Sequence, residues 1–140
     1  MTTRICLTLA TLLGLGGIAN GLIMLVAPME WYFAVPGVTS TGPFNQHFIR
    51  DIGLIYALIG VALVVGAARP MARTWLWGAA AAWLSGHALF HFWEVAVGIC
   101  GPGALARDFA SVTLPAIITL LLTAWSLGGR HSVHNRPAAI

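Results

Sequence analysis

Charge is what this sequence has least of. Only 8% of its 140 residues are charged and 59% are hydrophobic, whereas roughly a quarter of the residues in a soluble domain carry charge. Lysine is absent, and the seven basic residues are arginines scattered along the chain. No basic run exists that could bind nucleic acid, so we expect no nucleic-acid partner. The composition predicts an integral membrane protein whose main partner is the lipid bilayer.

Cysteine is also scarce. The two cysteines, Cys6 and Cys100, are too few and too far apart for a metal-thiolate site or a C-x-x-C motif. The sequence has no C-x-x-C-H segment either, so any haem would be bound without a covalent link.

The abundant apolar residues are grouped into long stretches. Four of these stand out, at 5–27, 47–68, 74–98 and 108–127. Each has about the 20 residues that a helix needs to cross a hydrocarbon core. The sequence therefore predicts an all-α fold, with residues 1–140 forming one transmembrane four-helix bundle that ends in a tail at 128–140. Pro115 is expected to kink the fourth helix.

The arginines predict the orientation of these helices. With four spans, the two termini and the connection between the second and third helices share one side of the membrane. That side collects five arginines: Arg4, Arg69, Arg73, Arg130 and Arg136. The other side has only Arg50 and Arg107. Because cytoplasmic segments are enriched in basic residues, both termini are expected to be cytoplasmic. The predicted location is the bacterial inner membrane, with several passes.

Small residues recur four apart in three of the stretches. They are Gly17 and Gly21, Gly53 and Ala57, and Gly78, Ala82 and Gly86. This spacing lets helix backbones approach closely in a membrane. The Gly/Ala faces therefore predict close helix packing, either within one chain or against a partner in a homo-oligomer or membrane complex.

All four carboxylates lie in or beside apolar stretches. They are Glu30, Asp51, Glu94 and Asp108. An ionisable group in a membrane segment is costly and points to a function. On the predicted topology these acids share the outer half of the membrane with three histidines: His47, His87 and His91. The spacing i, i+4, i+7 places His87, His91 and Glu94 on one helix face, and His47 and Asp51 are also four apart.

These residue types suit a bound metal or haem. The candidate ligands are His47, His87, His91, Glu94 and Asp51, with a supporting charge network of Arg50, Arg107, Asp108 and Glu30. Imidazole and carboxylate together suit iron, copper or zinc. Imidazoles from two helices, His47 with His87 or His91, would suit a non-covalent haem. The leading hypothesis is therefore an outward-facing metal or haem site that serves redox chemistry, as in a membrane-bound oxidoreductase.

Three alternatives stay open. The protein could be a proton-coupled carrier or small-ligand-binding protein in which Asp51 and Glu94 exchange protons. It could be an accessory subunit that docks through its Gly/Ala faces. The polar residues could also form a structural network in which Arg50 pairs with Glu94 or Asp108. On that last interpretation Glu30 is interfacial and Asp108 favours a helix N-terminus.

Two segments carry a resemblance. Residues 45–53, N-Q-H-F-I-R-D-I-G, and residues 87–94, H-A-L-F-H-F-W-E, resemble segments of small uncharacterised four-helix bacterial membrane proteins. The resemblance implies the helical bundle, and it carries over no activity, cofactor or substrate.

Overall fold

The chain is helical along nearly its whole length. The computed structural model describes the backbone of residues 2–134 and the side chains of residues 2–128. The α-helices are α1 (Thr3–Val26), α2 (Pro28–Ala34), α3 (Gln46–Ala68), α4 (Pro70–Ala96), α5 (Gly103–Asp108) and α6 (Leu114–His134). No strand occurs among residues 2–134, so the predicted all-α class is confirmed. Residues 135–140 of the predicted tail lie outside the described range.

Among the described residues, three helical segments are long and apolar enough to cross a membrane. They are Thr3–Val26, Gln46–Ala68 and Gly103–Gly128. Helix α4 is longer than any of these, at 27 residues. Its tryptophans, histidines and arginines make it less apolar, and it does not belong to this set. Length and composition therefore support three of the four predicted spans.

Three helices begin at or beside a proline, outside the bounds that the apolar stretches predict. Pro28 and Pro70 each stand in the first turn of a helix, where the missing N–H has no helical partner to lose. The segment between the first two apolar stretches therefore begins with helix α2, and only Arg69 separates α3 from α4. Similarly, α5 begins at Gly103, directly after Pro102. Asp108 consequently ends α5 and does not open the fourth helix.

A π-helical segment lies just before Pro115, the residue at which a kink is predicted. Residues Phe109–Thr113 form it, and α6 follows. Proline has no N–H, so the carbonyl of Ser111 loses its partner in a regular helix. The Leu114 N–H donates to the Phe109 carbonyl, five residues earlier. The widened turn lies directly after Asp108, and π-bulges of this kind are frequent at functional sites.

Helices α1 and α3 pack closely because glycines line their contact. A Cβ built on Gly21 would lie 2.5 Å from the Gly53 carbonyl oxygen, and one on Gly14 would lie 2.7 Å from that of Gly60. Either distance is too short for a real side chain. The first two Gly/Ala faces are thus used within the chain. On α4, by contrast, a Cβ on Gly86 would meet nothing within 4 Å.

Helix α4 packs between α3 and α6. Trp77 is completely buried at this contact, and its Nε1 donates to the Leu63 carbonyl at 3.0 Å. Gly66 makes room for the indole ring. Arg73 donates to the carbonyls of Gly66 and Ala67 at the end of α3. These contacts fix α3 and α4 as an antiparallel pair, so the polar side chains near the end of α4 lie at the level of the first half of α3.

Candidate functional site

A partly buried carboxylate joins α4 to α5. The His91 Nδ1 atom lies 3.2 Å from Asp108 Oδ2, a hydrogen bond in which the ring nitrogen donates to the carboxylate. Arg107 grips the same group in a two-pronged contact, with Nε 2.6 Å from Oδ1 and Nη2 2.9 Å from Oδ2. The Asp108 side chain is only 13% exposed. Arg107 and His91 thus both hydrogen-bond to the carboxylate, and the positive charge of Arg107 offsets its negative charge.

Two aromatic rings extend this contact inward. The imidazoles of His87 and His91 lie edge to face with centroids 4.8 Å apart. The ring of Tyr56 on α3 also stands edge-on to His87, with the two centroids 6.3 Å apart. Helix geometry explains the first pair, because residues four apart share a face. We call Tyr56, His87, His91, Arg107 and Asp108 the imidazole cluster.

The connection between α2 and α3 covers one side of this cluster. Gly37 has φ +88°, and a Cβ there would collide with the Arg107 guanidinium. The Tyr32 hydroxyl donates to the Gly42 carbonyl at 2.7 Å, which ties the same connection to α2. Arg107 therefore lies between a glycine of the connection and the carboxylate that it binds. Three separate segments contribute to its position.

The structure places His47 and Asp51 in a pair of their own. His47 Nε2 lies 3.3 Å from Asp51 Oδ2, and the two side chains are 90% and 56% exposed. Among the described side chains, no hydrogen bond, ion pair or ring contact joins this pair to the imidazole cluster. The haem alternative needs His47 as the imidazole from a second helix, and the structure pairs His47 with Asp51 and not with His87 or His91.

The remaining candidates stand apart from the cluster. Arg50 donates from Nε to the Leu25 carbonyl at 3.0 Å, so the Arg50–Glu94 and Arg50–Asp108 pairs of the structural-network hypothesis are not found among the described residues. The side chains of Glu30 and Glu94 make no hydrogen bond or ion pair within residues 2–128. Glu94 contributes its backbone carbonyl, which accepts from Ile99 and Cys100.

The five candidate ligands are not gathered into one site. Within the described part of the chain, no three His, Cys, Asp or Glu side chains are arranged to hold a metal ion. His87 and His91 are brought together, and Asp108 joins them from α5 as the partner of His91. Sequence reasoning missed Tyr56, although a lone phenol in the apolar run of α3 was a signal that could have found it.

Comparison with protein-family models, with curated proteins and with solved structures finds no match to this chain. The geometry of the imidazole cluster is therefore the basis for any functional assignment.

Proposed function

We propose that this chain is a multi-pass protein of the bacterial inner membrane, in which α4 is the fourth span and both termini are cytoplasmic. Three of its helical segments have the length and composition of spans. Antiparallel packing of α4 between α3 and α6 would carry it across the same hydrocarbon layer. The arginine distribution supports the orientation. Labelling of cysteines from the two sides of the membrane tests this topology.

The imidazole cluster is proposed to bind a transition-metal ion through His87 and His91. The proposal rests on one observation: the imidazoles of His87 and His91 lie on consecutive turns of α4, and the Nδ1 atom of His91 is hydrogen-bonded to the Asp108 carboxylate. Metal-binding histidines commonly donate their second ring N–H to a carboxylate in this way, which fixes the tautomer and leaves the other nitrogen free to bind. In this arrangement His91 binds through Nε2, and Asp108 is a positioning residue.

Iron, copper and zinc are the ions that imidazole ligands suit. A bound copper or iron ion would supply one-electron redox chemistry. The protein's own contribution is to hold the two imidazoles, orient one of them through Asp108, and limit the access of water by burial. Arg107 offsets the charge of the carboxylate, so the metal is not attracted to Asp108 in place of the imidazoles.

Metal titration of the purified protein in detergent micelles tests this proposal. Cu²⁺ competed against a chelator should bind the wild-type chain at one ion per protein. His87→Ala and His91→Ala should each weaken binding at least tenfold. His47→Ala removes an exposed imidazole and is the matched control, with unchanged affinity. Equal losses in His47→Ala and His91→Ala, or no stoichiometric binding by the wild type, would contradict the proposal.

The hydrogen-bonded row of Arg107, Asp108 and His91 favours one other function. A carboxylate bonded to an imidazole in a membrane segment is a common arrangement for proton exchange. On this alternative the protein is a proton-coupled carrier or binds a small ligand at the cluster. Liposomes that contain the protein should then show substrate-dependent proton uptake that Asp108→Asn abolishes and Asp51→Asn preserves. Flux that survives Asp108→Asn would count against the alternative.

A further inference from the structure

We infer that Tyr56 is the third protein ligand of this metal, which makes the site a two-imidazole, one-phenolate centre for a cupric or ferric ion. The inference rests on the metal proposed above for His87 and His91, and it adds a ligand from a different helix. With Tyr56 included, α3 and α4 both hold the ion, and α5 orients it through Asp108.

The position of Tyr56 supports this role. Its ring stands edge-on to His87, and its hydroxyl makes no hydrogen bond to any described residue. His87 likewise has ring contacts but no hydrogen-bond partner within residues 2–128. A half-buried tyrosine normally finds a partner for its hydroxyl. A shared ligand would account for two neighbouring polar groups, one on α3 and one on α4, that have no hydrogen-bond partner among the described residues.

The two ring spacings that involve His87 suit a shared ion. Imidazoles that share an ion at metal–nitrogen distances of about 2.0–2.1 Å have ring centroids about 4.5–5 Å apart, and the His87–His91 separation is 4.8 Å. A phenolate oxygen at a similar distance from the ion puts its larger ring about 6 Å from a neighbouring imidazole. The Tyr56–His87 separation is 6.3 Å.

The chemistry of the ligands narrows the choice of metal. Coordination of Tyr56 releases the phenolic proton to solvent, because the ligand must be deprotonated. A phenolate is a hard, electron-rich donor that favours Cu²⁺ and Fe³⁺ over softer ions. Both ions accept charge from a bound phenolate on excitation, and the resulting absorption band in the visible range reports the oxygen–metal bond. Zn²⁺ has a filled d shell and gives no such band.

The test uses the full chain in micelles, loaded with Cu²⁺ or with Zn²⁺. We expect a visible charge-transfer band in the Cu²⁺ form alone. Tyr56→Phe should abolish this band and weaken Cu²⁺ binding about tenfold or more while binding to the two imidazoles persists. Tyr32→Phe is the matched control, because it removes the chain's other phenol from a separate contact with Gly42. That variant should keep the band, because the phenol that it removes is not a ligand.

The outcomes separate this inference from the function on which it rests. If the wild type binds Cu²⁺ through His87 and His91 without a visible band, or if Tyr56→Phe keeps the band, Tyr56 is not a ligand and the two-imidazole site stands. If the wild type binds no metal, both proposals fail. A circular dichroism melt of Tyr56→Phe checks that loss of the band does not reflect unfolding.

Discussion

At the scale of single residues, Gly37 controls the position of Arg107. Its φ of +88° costs an L-residue roughly 1–2 kcal/mol, and a Cβ would also displace the guanidinium. Gly37→Ala should therefore lower the melting temperature in micelles and weaken metal binding at the imidazole cluster. Gly98→Ala is the matched control, because Gly98 has φ +79° with open space around its Cβ position. It should lower stability to a similar degree and leave metal affinity unchanged.

Asp108 is the residue whose substitution best separates orientation from ligation. Asp108→Asn keeps the shape of the side chain but removes the charge that fixes the His91 tautomer. Loss of such a partner typically costs about 10–100-fold in metal affinity, and we expect a loss in that range by chelator competition. Asp51→Asn, at the exposed His47–Asp51 pair, should have no effect. If the two variants bind equally well, Asp108 does not orient a ligand.

The sequence predicted single contacts at this scale better than it predicted the whole site. The i, i+4 spacing anticipated both the His87–His91 and the His47–Asp51 pairs. It could not show that the pairs are separate, because that depends on how α3 is rotated. Tyr56, which faces His87, lies nine residues after His47, and nine residues are about 2.5 turns. His47 therefore points away from α4 when Tyr56 points toward it.

At the scale of helices, the α1–α3 contact depends on glycine at the points of closest approach. A Cβ on Gly60 would lie 2.6 Å from the Ile18 backbone nitrogen, and backbone cannot move aside as a flexible side chain can. Gly60→Ala should therefore destabilise the fold by roughly 1–3 kcal/mol, the usual cost of overpacking. A circular dichroism melt in micelles measures the loss.

Gly16→Ala, in helix α1, is the control for Gly60→Ala in helix α3. A Cβ on Gly16 meets nothing within 4 Å, and alanine is the better helix former by about 1 kcal/mol. The variant should be as stable as the wild type or slightly more so. If Gly60→Ala melts no lower than Gly16→Ala, the close approach of α1 and α3 is not needed for stability.

The sequence predicted the long helices well and their ends poorly. Apolar length identified α1 and α3 almost to the residue, because a spanning helix must satisfy all its backbone groups internally. The starts of α2 and α4 were not predicted, because a proline can follow the end of one helix and also begin the next. Around Asp108 the error reached the site itself. A helix that begins at Gly103 carries Arg107 and Asp108 beyond its first turn and toward His91.

At the scale of the whole molecule, α4 is the long helix whose hydropathy does not mark it as a span. Its arginines and histidines lower its hydropathy, yet it packs on α3 and α6, which both belong to the three apolar segments. Two of its polar side chains, Arg73 and His91, are also hydrogen-bonded inside the protein. Burial of this kind offsets the cost of polar side chains in a span, which sequence hydropathy alone cannot register. We therefore expect α4 to cross.

The native Cys100 allows a direct test of that crossing. Cys6→Ala removes the other native cysteine, and a membrane-impermeant maleimide applied to intact cells should then label Cys100. In a chain that also carries Cys100→Ser, the reagent should label an introduced Thr39→Cys. It should not label Ala68→Cys in the same background. If α4 does not cross, Cys100 must lie on the same side as residue 68 and opposite residue 39. Labelling Thr39→Cys in the absence of Cys100 fixes the outer side independently. If Cys100 is protected in intact cells and labelled only after the cells are opened, the chain has three spans. The imidazole cluster would then lie at the opposite membrane face from residue 39. That placement would contradict the close approach of Gly37 to Arg107.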